Sequence, residues 1–225
     1  MLTRGQFEEE LRRLGDEVLR MGSEADRMLD LAMQALTKQN VEIAEQVIAG
    51  DDVIDDLDIR IEMEAMRIIA LQQPVARDLR LVGTAIKVIS DIERIGDHAV
   101  DIAKVARKLA RDTFFKPLVD IPYMADRVRA MLREALTAFV THDLDLVRRV
   151  VAADDEIDDL FHKLRDELHA AMSRDANLVV QASYLLFVAY YLERVADHIV
   201  NIAERVYYVE TGKLEQLART HKSQS

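Results

Sequence analysis

The chain of 225 residues carries 41 acidic and 30 basic side chains, and its net charge of −11 argues against a general nucleic-acid binder, which needs a basic face. It has no cysteine, which excludes a disulfide framework and a thiolate metal site. Half of the residues are hydrophobic and glycine and proline number only 7 and 3, as is typical of long packed helices. Because the chain shows neither a signal peptide nor an apolar run of the roughly 20 residues that span a membrane, we expect an all-α cytoplasmic protein without membrane insertion.

The first half of the chain predicts three long helices. Apolar side chains at helical spacing indicate a first helix over residues 6–37, and the polar sequence KQN then gives a short break. The apolar stripe of a second helix runs from Ile43 to Ile68. Pro74, in LQQPVARDLR, disfavours helix at the residue before it and suits the first turn of the next helix. A third helix is therefore predicted from Pro74 to about Arg111.

The second half of the chain repeats the first. With an offset of 103 residues, 28–57 align with 131–160, and with an offset of 100 residues, 91–103 align with 191–203. The change of offset implies a three-residue deletion near SRDANL, where no proline matches Pro74.

A boundary between the halves is predicted in DTFFKPLVDIP, where two prolines interrupt the helical pattern. We predict six long helices in two three-helix repeats, 1–115 and 116–212. A polar tail, 213–225, is expected to fray.

Acidic side chains recur four residues apart in both halves. Residues at this spacing are neighbours on one helix face, with Cβ atoms about 6 Å apart, so two carboxylates can converge on a cation. The pairs are Asp51 with Asp55, Glu93 with Asp97, Asp154 with Asp158, and Glu193 with Asp197. Asp101 extends the stripe of the first half, whereas the second half has Asn201.

Helical geometry separates these acids from the acids next to them. Measured from Ile54 at about 100° per residue, Asp51 and Asp55 flank the apolar stripe, whereas Asp52 and Asp56 point toward solvent. The acids of the third helix also fall at the edge of an apolar arc, where another helix can pack. Like charges in such a seam are unfavourable unless a cation or an arginine compensates them.

Two explanations for the paired acids remain open. Carboxylates alone suit hard cations such as Mg²⁺, Mn²⁺ or Fe, whereas Zn²⁺ normally recruits histidine. His98 and His198 project about 100° away from the acids, so we expect them in a seam or at the surface. In the second explanation the chain is a metal-independent acidic adaptor, in which Arg94 and Arg194 bridge acids on neighbouring helices.

Catalysis is not predicted. A carboxylate-bridged di-iron oxidase needs Glu-x-x-His pairs, but Gly96 and Ala196 occupy the third position after the repeated glutamates. The stretches DLFH and DELH of the second half have no counterpart in the first half. The chain also lacks the GxSxG, P-loop and HExxH motifs.

Three stretches together, GDDVIDDL, LQQPVARDLR and DIERIGDHAVDIA, in this order within a duplicated helical chain, resemble the PhoU family. The family comprises regulators associated with bacterial phosphate uptake, and the resemblance covers residues from about 5 to 210. It implies two antiparallel three-helix bundles side by side in a cytoplasmic protein that is often dimeric. It also implies a non-enzymatic negative regulator of the phosphate-starvation response, linking a PstB-like ATPase subunit of the importer to a PhoR-like sensor histidine kinase.

The resemblance also implies metal binding, because (E/D)xxxD motifs of this family hold metal ions or clusters on the bundle surface. Carried over to this sequence, the motif falls on Asp51, Asp55, Glu93, Asp97, Asp101, Asp154, Asp158, Glu193 and Asp197. The identity of the metal stays open among Mg, Mn, Fe and Zn. Because Asn201 departs from the pattern, we expect a weaker or differently occupied second site.

Overall fold

The computed structural model describes residues 4–218, and within that range the chain is helical without any strand. Seven α-helices follow one another along it, and a short 3₁₀ turn, Ala176–Leu178, joins the last two. Their bounds are α1 Arg4–Lys38, α2 Val41–Ala49, α3 Asp51–Gln72, α4 Ala76–Leu109, α5 Asp120–Thr141, α6 Leu144–Arg174 and α7 Val179–Thr211.

The first turn of each repeat is built in the same way. Gln39 and His142 follow α1 and α5 in the left-handed backbone region, with φ of 51° and 58°. Next in sequence, the Asn40 side chain accepts a hydrogen bond from the Ile43 amide, and Asp143 likewise caps α6. These side chains satisfy amides that a helix start leaves unpaired, so both repeats reverse direction at the same place.

The predicted second helix is divided at Gly50 into α2 and α3. The Gly50 amide donates to the Val47 carbonyl oxygen at 3.0 Å, so the chain makes a tight turn there. The second repeat has Ala153 at the corresponding position, and α6 runs through it without a break. Glycine is a poor helix former because its backbone loses more freedom on folding, which accounts for the difference.

Two three-helix bundles lie side by side, as the resemblance to the PhoU family implies. The first contains α1, the α2–α3 pair and α4, and the second contains α5, α6 and α7. The bundles pack through α4 against α7 and through α1 against α5. Buried side chains of both bundles form one hydrophobic cluster, so the repeats share a core across their seam.

Corresponding positions of the repeats face each other where α1 meets α5. Arg129 of α5 pairs with Asp26 at 2.8 Å, and these two residues are 103 apart, the offset of the repeat. Arg129 also contacts Asp30 at 2.6 Å, and Arg133 contacts Asp26 at 3.3 Å. When each residue is replaced by its counterpart in the other repeat, the contact of Arg129 with Asp30 becomes the contact of Asp26 with Arg133. This exchange is expected for a pseudo-twofold arrangement of the repeats.

One sequence expectation about membranes needs correction. Residues Ala176–Thr211 are long and apolar enough to cross a membrane, by length and composition only, with a mean hydropathy of 1.2 in their most apolar window. In the fold, however, α7 packs against α4, α5 and α6. The apolar side chains that it leaves exposed include Val180, Phe187 and Tyr190. About a third of this apolar window is buried inside the fold, at 33%, so packing in the bundle accounts for part of its apolar character.

Candidate metal-binding sites

The first acidic cluster lies where α3 packs against α4. Asp51 and Asp55 come from the start of α3, and Glu93 and Asp97 come from the middle of α4. Burial raises the pKa of Asp51, and the charges of Asp55 and Asp97 raise it further. Burial and then Asp97 likewise raise the pKa of Glu93. The structure thus brings together the acids that sequence spacing had placed in two pairs.

Basic side chains compensate this first cluster only in part. Arg94 pairs with Glu93 at 3.2 Å and with Asp97 at 2.8 Å. Lys104 pairs with Asp101 at 3.0 Å. All of these ion pairs lie within α4. The hypothesis of a metal-independent adaptor predicts instead that Arg94 bridges acids on neighbouring helices, and its ion pairs do not do so.

The second acidic cluster lies at the corresponding place between α6 and α7. It contains Asp154 and Asp158 of α6 and Glu193 and Asp197 of α7, and these four side chains line one pocket of about 370 Å³. Burial, and then the charge of Asp197, raises the pKa of Glu193 to about 7. Arg194 pairs with Asp197 at 2.6 Å, again within its own helix. Even so, burial keeps the pKa of Asp197 raised.

The PhoU domain profile matches residues 18–106 and, a second time, residues 121–206. The chain belongs to the PhoU family. A phosphate-specific transport system accessory protein PhoU homolog of Clostridium acetobutylicum is 42% identical over 94% of this chain and 97% of its own length. The homolog of the same description in Aquifex aeolicus is 40% identical, over 91% of this chain and 93% of its own length.

Solved structures of the PhoU family share the fold. The crystal structure of PhoU from Pseudomonas aeruginosa superposes with a TM-score of 0.88 at 33% identity, covering 92% of this chain and all of the other. The phosphate transport system regulatory protein PhoU from Streptococcus pneumoniae gives a TM-score of 0.88 at 31% identity, covering 94% of this chain and all of the other. The resemblance seen in the sequence motifs is therefore confirmed along nearly the whole chain.

Asp58 joins the first cluster of this PhoU-family chain, although pairs at four-residue spacing did not reveal it. Its Oδ1 atom is buried without a hydrogen-bond partner among the described residues. Burial raises its pKa, and its charge in turn raises the pKa of Glu93. Asp51, Asp55 and Asp58 follow the i, i+4, i+7 spacing of a single helix face, which is the signal that could have found it.

The two clusters differ at three corresponding positions. The second repeat has Phe161 where the first has Asp58, and Glu204 where the first has Lys104. Asn201, which replaces Asp101, donates from its side-chain amide to Asp91 Oδ1 at 3.2 Å. Asn201 therefore contacts the seam between the bundles. The clusters thus differ at three positions rather than at Asn201 alone, and unequal metal occupancy stays a prediction.

Both motif histidines lie in the seam between α4 and α7. His198 Nδ1 is 2.9 Å from Asp91 Oδ1. The His98 ring stacks on Tyr191 with centroids 5.6 Å apart, and burial, together with the charge of His198, lowers the pKa of His98. These contacts agree with the expectation that the histidines are seam residues.

The donor chemistry of both clusters fits a hard cation. Carboxylate oxygens are the ligands such ions prefer, and Glu193 Oε2 is buried without a hydrogen-bond partner among residues 4–218. In the same range, no group of three or more acids or histidines has the arrangement needed to hold an ion as the side chains are placed. The side chains of a cluster would thus have to converge for all to bind one ion.

The arrangement does not resemble a di-iron oxidase. His162 and His169, which complete the Asp-x-x-His stretches, are exposed on α6. Gly96 and Ala196, at the positions where a Glu-x-x-His pair needs histidine, are buried. A buried cluster of the oxidase type would need histidines at buried positions.

Proposed function

We propose that this chain is a cytoplasmic regulatory adaptor that restrains phosphate uptake and the phosphate-starvation response, and that it binds metal ions through its acidic clusters. The naming of its relatives as accessory proteins of the phosphate-specific transport system supports the regulatory part. We further propose that it acts by contact, as a homodimer, with a PstB-like ATPase subunit and a PhoR-like sensor kinase.

The observation that carries metal binding is the pair of carboxylate clusters at corresponding seams of the two repeats. In each of them burial raises the pKa of a glutamate, so the fold disfavours the charged form of that side chain. The residues that would hold the ions are Asp51, Asp55, Glu93, Asp97, Asp101, Asp154, Asp158, Glu193 and Asp197. A bound Mg, Mn, Fe or Zn ion would supply positive charge that neutralises these facing carboxylates.

The chain's own side chains set how each cluster responds. Arg94 and Arg194 each hold an aspartate in place from within the same helix. Asp51 and Asp55 stand on α3, which begins at the Gly50 break and is shorter than its counterpart α6. Neutralising the acids between α3 and α4 would remove repulsion between these helices and stiffen the surface that they form. Metal occupancy could then bias the binding of a partner protein.

Elemental analysis of the purified protein tests metal binding. We expect Glu93→Gln with Asp97→Asn to reduce bound metal, and Glu193→Gln with Asp197→Asn to do the same for the second cluster. The matched control is Asp52→Asn with Asp56→Asn, because these acids of α3 are exposed. Metal content that is equal in all three variants and the unaltered protein would reject the ligand assignment and favour the metal-independent adaptor.

A deletion strain tests the regulatory part. We expect loss of the gene to raise a phosphate-responsive reporter in phosphate-rich medium, and a plasmid copy to restore repression. A reporter that responds normally to phosphate without the gene would reject the proposal. If the variants of both clusters restore repression as well as the unaltered chain, regulation does not depend on metal.

A further inference from the structure

The chain folds back on itself after α7. Gly212 ends the helix in the left-handed backbone region, with φ of 73°, and its amide donates to the Tyr208 carbonyl oxygen. Glycine adopts this conformation without steric cost, so it allows a sharp reversal. Residues 213–218, here called the return segment, then run back along α7. The sequence predicts a frayed tail from residue 213; hydrogen bonds of Leu217 and Ala218 instead give these two residues a fixed place, and residues 219–225 lie outside the described range.

Glu204 holds the return segment in place. Its Oε1 atom accepts hydrogen bonds from the amides of Leu217 at 2.6 Å and Ala218 at 3.3 Å. Both residues are partly buried against the hydrophobic core. A carboxylate that accepts two backbone amides makes charge-assisted hydrogen bonds, which are stronger than neutral ones. The order of this segment thus has an identifiable cause.

The return segment ends at the second acidic cluster. Gln216 and Ala218 line the same pocket as Asp158, Glu193 and Asp197. A cation that approaches these carboxylates from the side of the return segment would meet that segment first. The anchor and the cluster are also adjacent, because Glu204 lines this pocket too.

The first repeat lacks the anchor. The position that corresponds to Glu204 is Lys104, which pairs with Asp101 and cannot accept a hydrogen bond from a backbone amide. After α4 the chain continues toward α5, and the Phe115 amide donates to Gln181 of α7 at 2.9 Å. The return segment is therefore found only beside the second cluster within the described residues, although both clusters have acids at the same four corresponding positions.

We propose that the return segment competes with cations for the second acidic cluster, because Gln216 and Ala218 line the same pocket as its four carboxylates. This inference rests on the metal binding proposed above and adds a mechanism that regulates it at one of the two sites.

Competition has two measurable consequences. A cluster that is open in only a fraction of molecules binds a cation more weakly by that fraction, so removal of the segment strengthens binding. By linkage, a bound cation weakens the attachment of the segment by the same factor. Occupancy of the second cluster would then release the return segment, whereas occupancy of the first would leave it in place.

Titration with Mn²⁺, followed by calorimetry and by the electron paramagnetic resonance of free Mn²⁺, tests the first consequence. Glu93→Gln with Asp97→Asn removes binding at the first cluster, and this background is compared with the same chain ending at Gly212. We expect the shortened chain to bind Mn²⁺ about tenfold more tightly, as for a cluster that is open in about a tenth of molecules. Equal affinity would overturn the proposal. Weaker binding would also overturn it, because the segment would then supply ligands.

The outcome separates this inference from the proposal on which it rests. If neither chain binds Mn²⁺ at the second cluster, metal binding there fails and competition fails with it. If both chains bind equally, metal binding stands and only competition fails. Circular dichroism of the shortened chain checks that its helices are retained.

Glu204→Ala supplies a variant that keeps the full chain. If Glu204 acts only as the anchor, the substitution tightens Mn²⁺ binding in the full chain and has no effect in the chain ending at Gly212. A loss of affinity in both chains would identify Glu204 as a ligand and reject its role as anchor.

Hydrogen exchange tests the reciprocal consequence. Saturating Mn²⁺ should speed exchange in a peptide covering residues 213–218, while a peptide from α5 stays unchanged. Unchanged exchange in this segment, with Mn²⁺ bound at the second cluster, would overturn the proposal.

Discussion

Replacing Glu193 by glutamine should stabilise the metal-free protein above neutral pH. Glu193 stands in the second cluster with a raised pKa of about 7, because burial and the charge of Asp197 disfavour its ionised form. Its Oε2 atom has no hydrogen-bond partner within the described residues. Glutamine has nearly the same shape and carries no charge, so it removes the repulsion while filling the same space.

The size of the effect follows from the pKa in the folded and unfolded chains. The folded state holds the proton up to about pH 7, whereas the ordinary pKa is 4.5, so the stability of the unaltered protein falls as pH rises between these values. At about 1.4 kcal/mol per pH unit, this rise in pKa corresponds to an upper limit of about 3 kcal/mol. Glu193 is partly exposed, and screening by solvent reduces the expected gain to about 1–2 kcal/mol.

Urea unfolding in the presence of EDTA measures this gain. The free energy of unfolding is compared between Glu193→Gln and the unaltered chain at pH 8.5 and at pH 5, with exposed Asp155→Asn on α6 as the control. We expect a gain at pH 8.5 that shrinks at pH 5, and no such dependence for the control. A glutamine variant that is no more stable at pH 8.5, or equally stabilised at both pH values, would refute the reasoning.

Three further substitutions have definite expected outcomes. Arg129→Ala should lower the free energy of unfolding by about 1–3 kcal/mol, because Asp26 loses its closest partner in a seam where it is only 18% exposed; an unchanged urea midpoint would contradict this. Asp58→Asn should raise the stability of the chelator-treated protein and lower the metal content of the first cluster, as elemental analysis would show, whereas exposed Asp56→Asn should do neither. Gly50→Ala should stabilise the protein by at most about 0.5–1 kcal/mol in urea unfolding, since alanine is the better helix former but its Cβ would lie 3.3 Å from the Gln46 carbonyl oxygen; a loss would show that the break at this position is required.

Sequence periodicity predicted the elements well because each helix has one wide apolar face. The geometry around Ile54 placed Asp52 and Asp56 at the surface, and both are exposed. It placed Asp51 and Asp55 beside the apolar stripe, and the structure sets them against the acids of α4. These successes depend only on the angle between residues of one helix, which the helix itself fixes.

Features that depend on contacts between helices were harder to predict. Asn201 in the sequence is only a missing acid, but its amide binds Asp91 of another bundle. The return segment looked like a polar tail because its anchor, Glu204, lies inside α7 and carries no motif. In both cases the decisive partner is distant in sequence, and spacing along one helix carries no information about it.

Comparison of the repeats position by position would have revealed part of the seam. In a duplicated fold with a pseudo-twofold axis, a residue near the axis faces its own counterpart, so two identical charges there would repel. Asp26 and Asp30 correspond to Arg129 and Arg133, a reversal of charge at two positions one helical turn apart, and all of these side chains meet at the seam. Matched positions that have kept the same acid include Asp55 and Asp158, which belong to the two acidic clusters. The reversed charges at Asp26 and Asp30 thus mark the contact between the bundles, but reversal alone does not identify a seam, because Lys104 and Glu204 are also reversed and lie at the clusters.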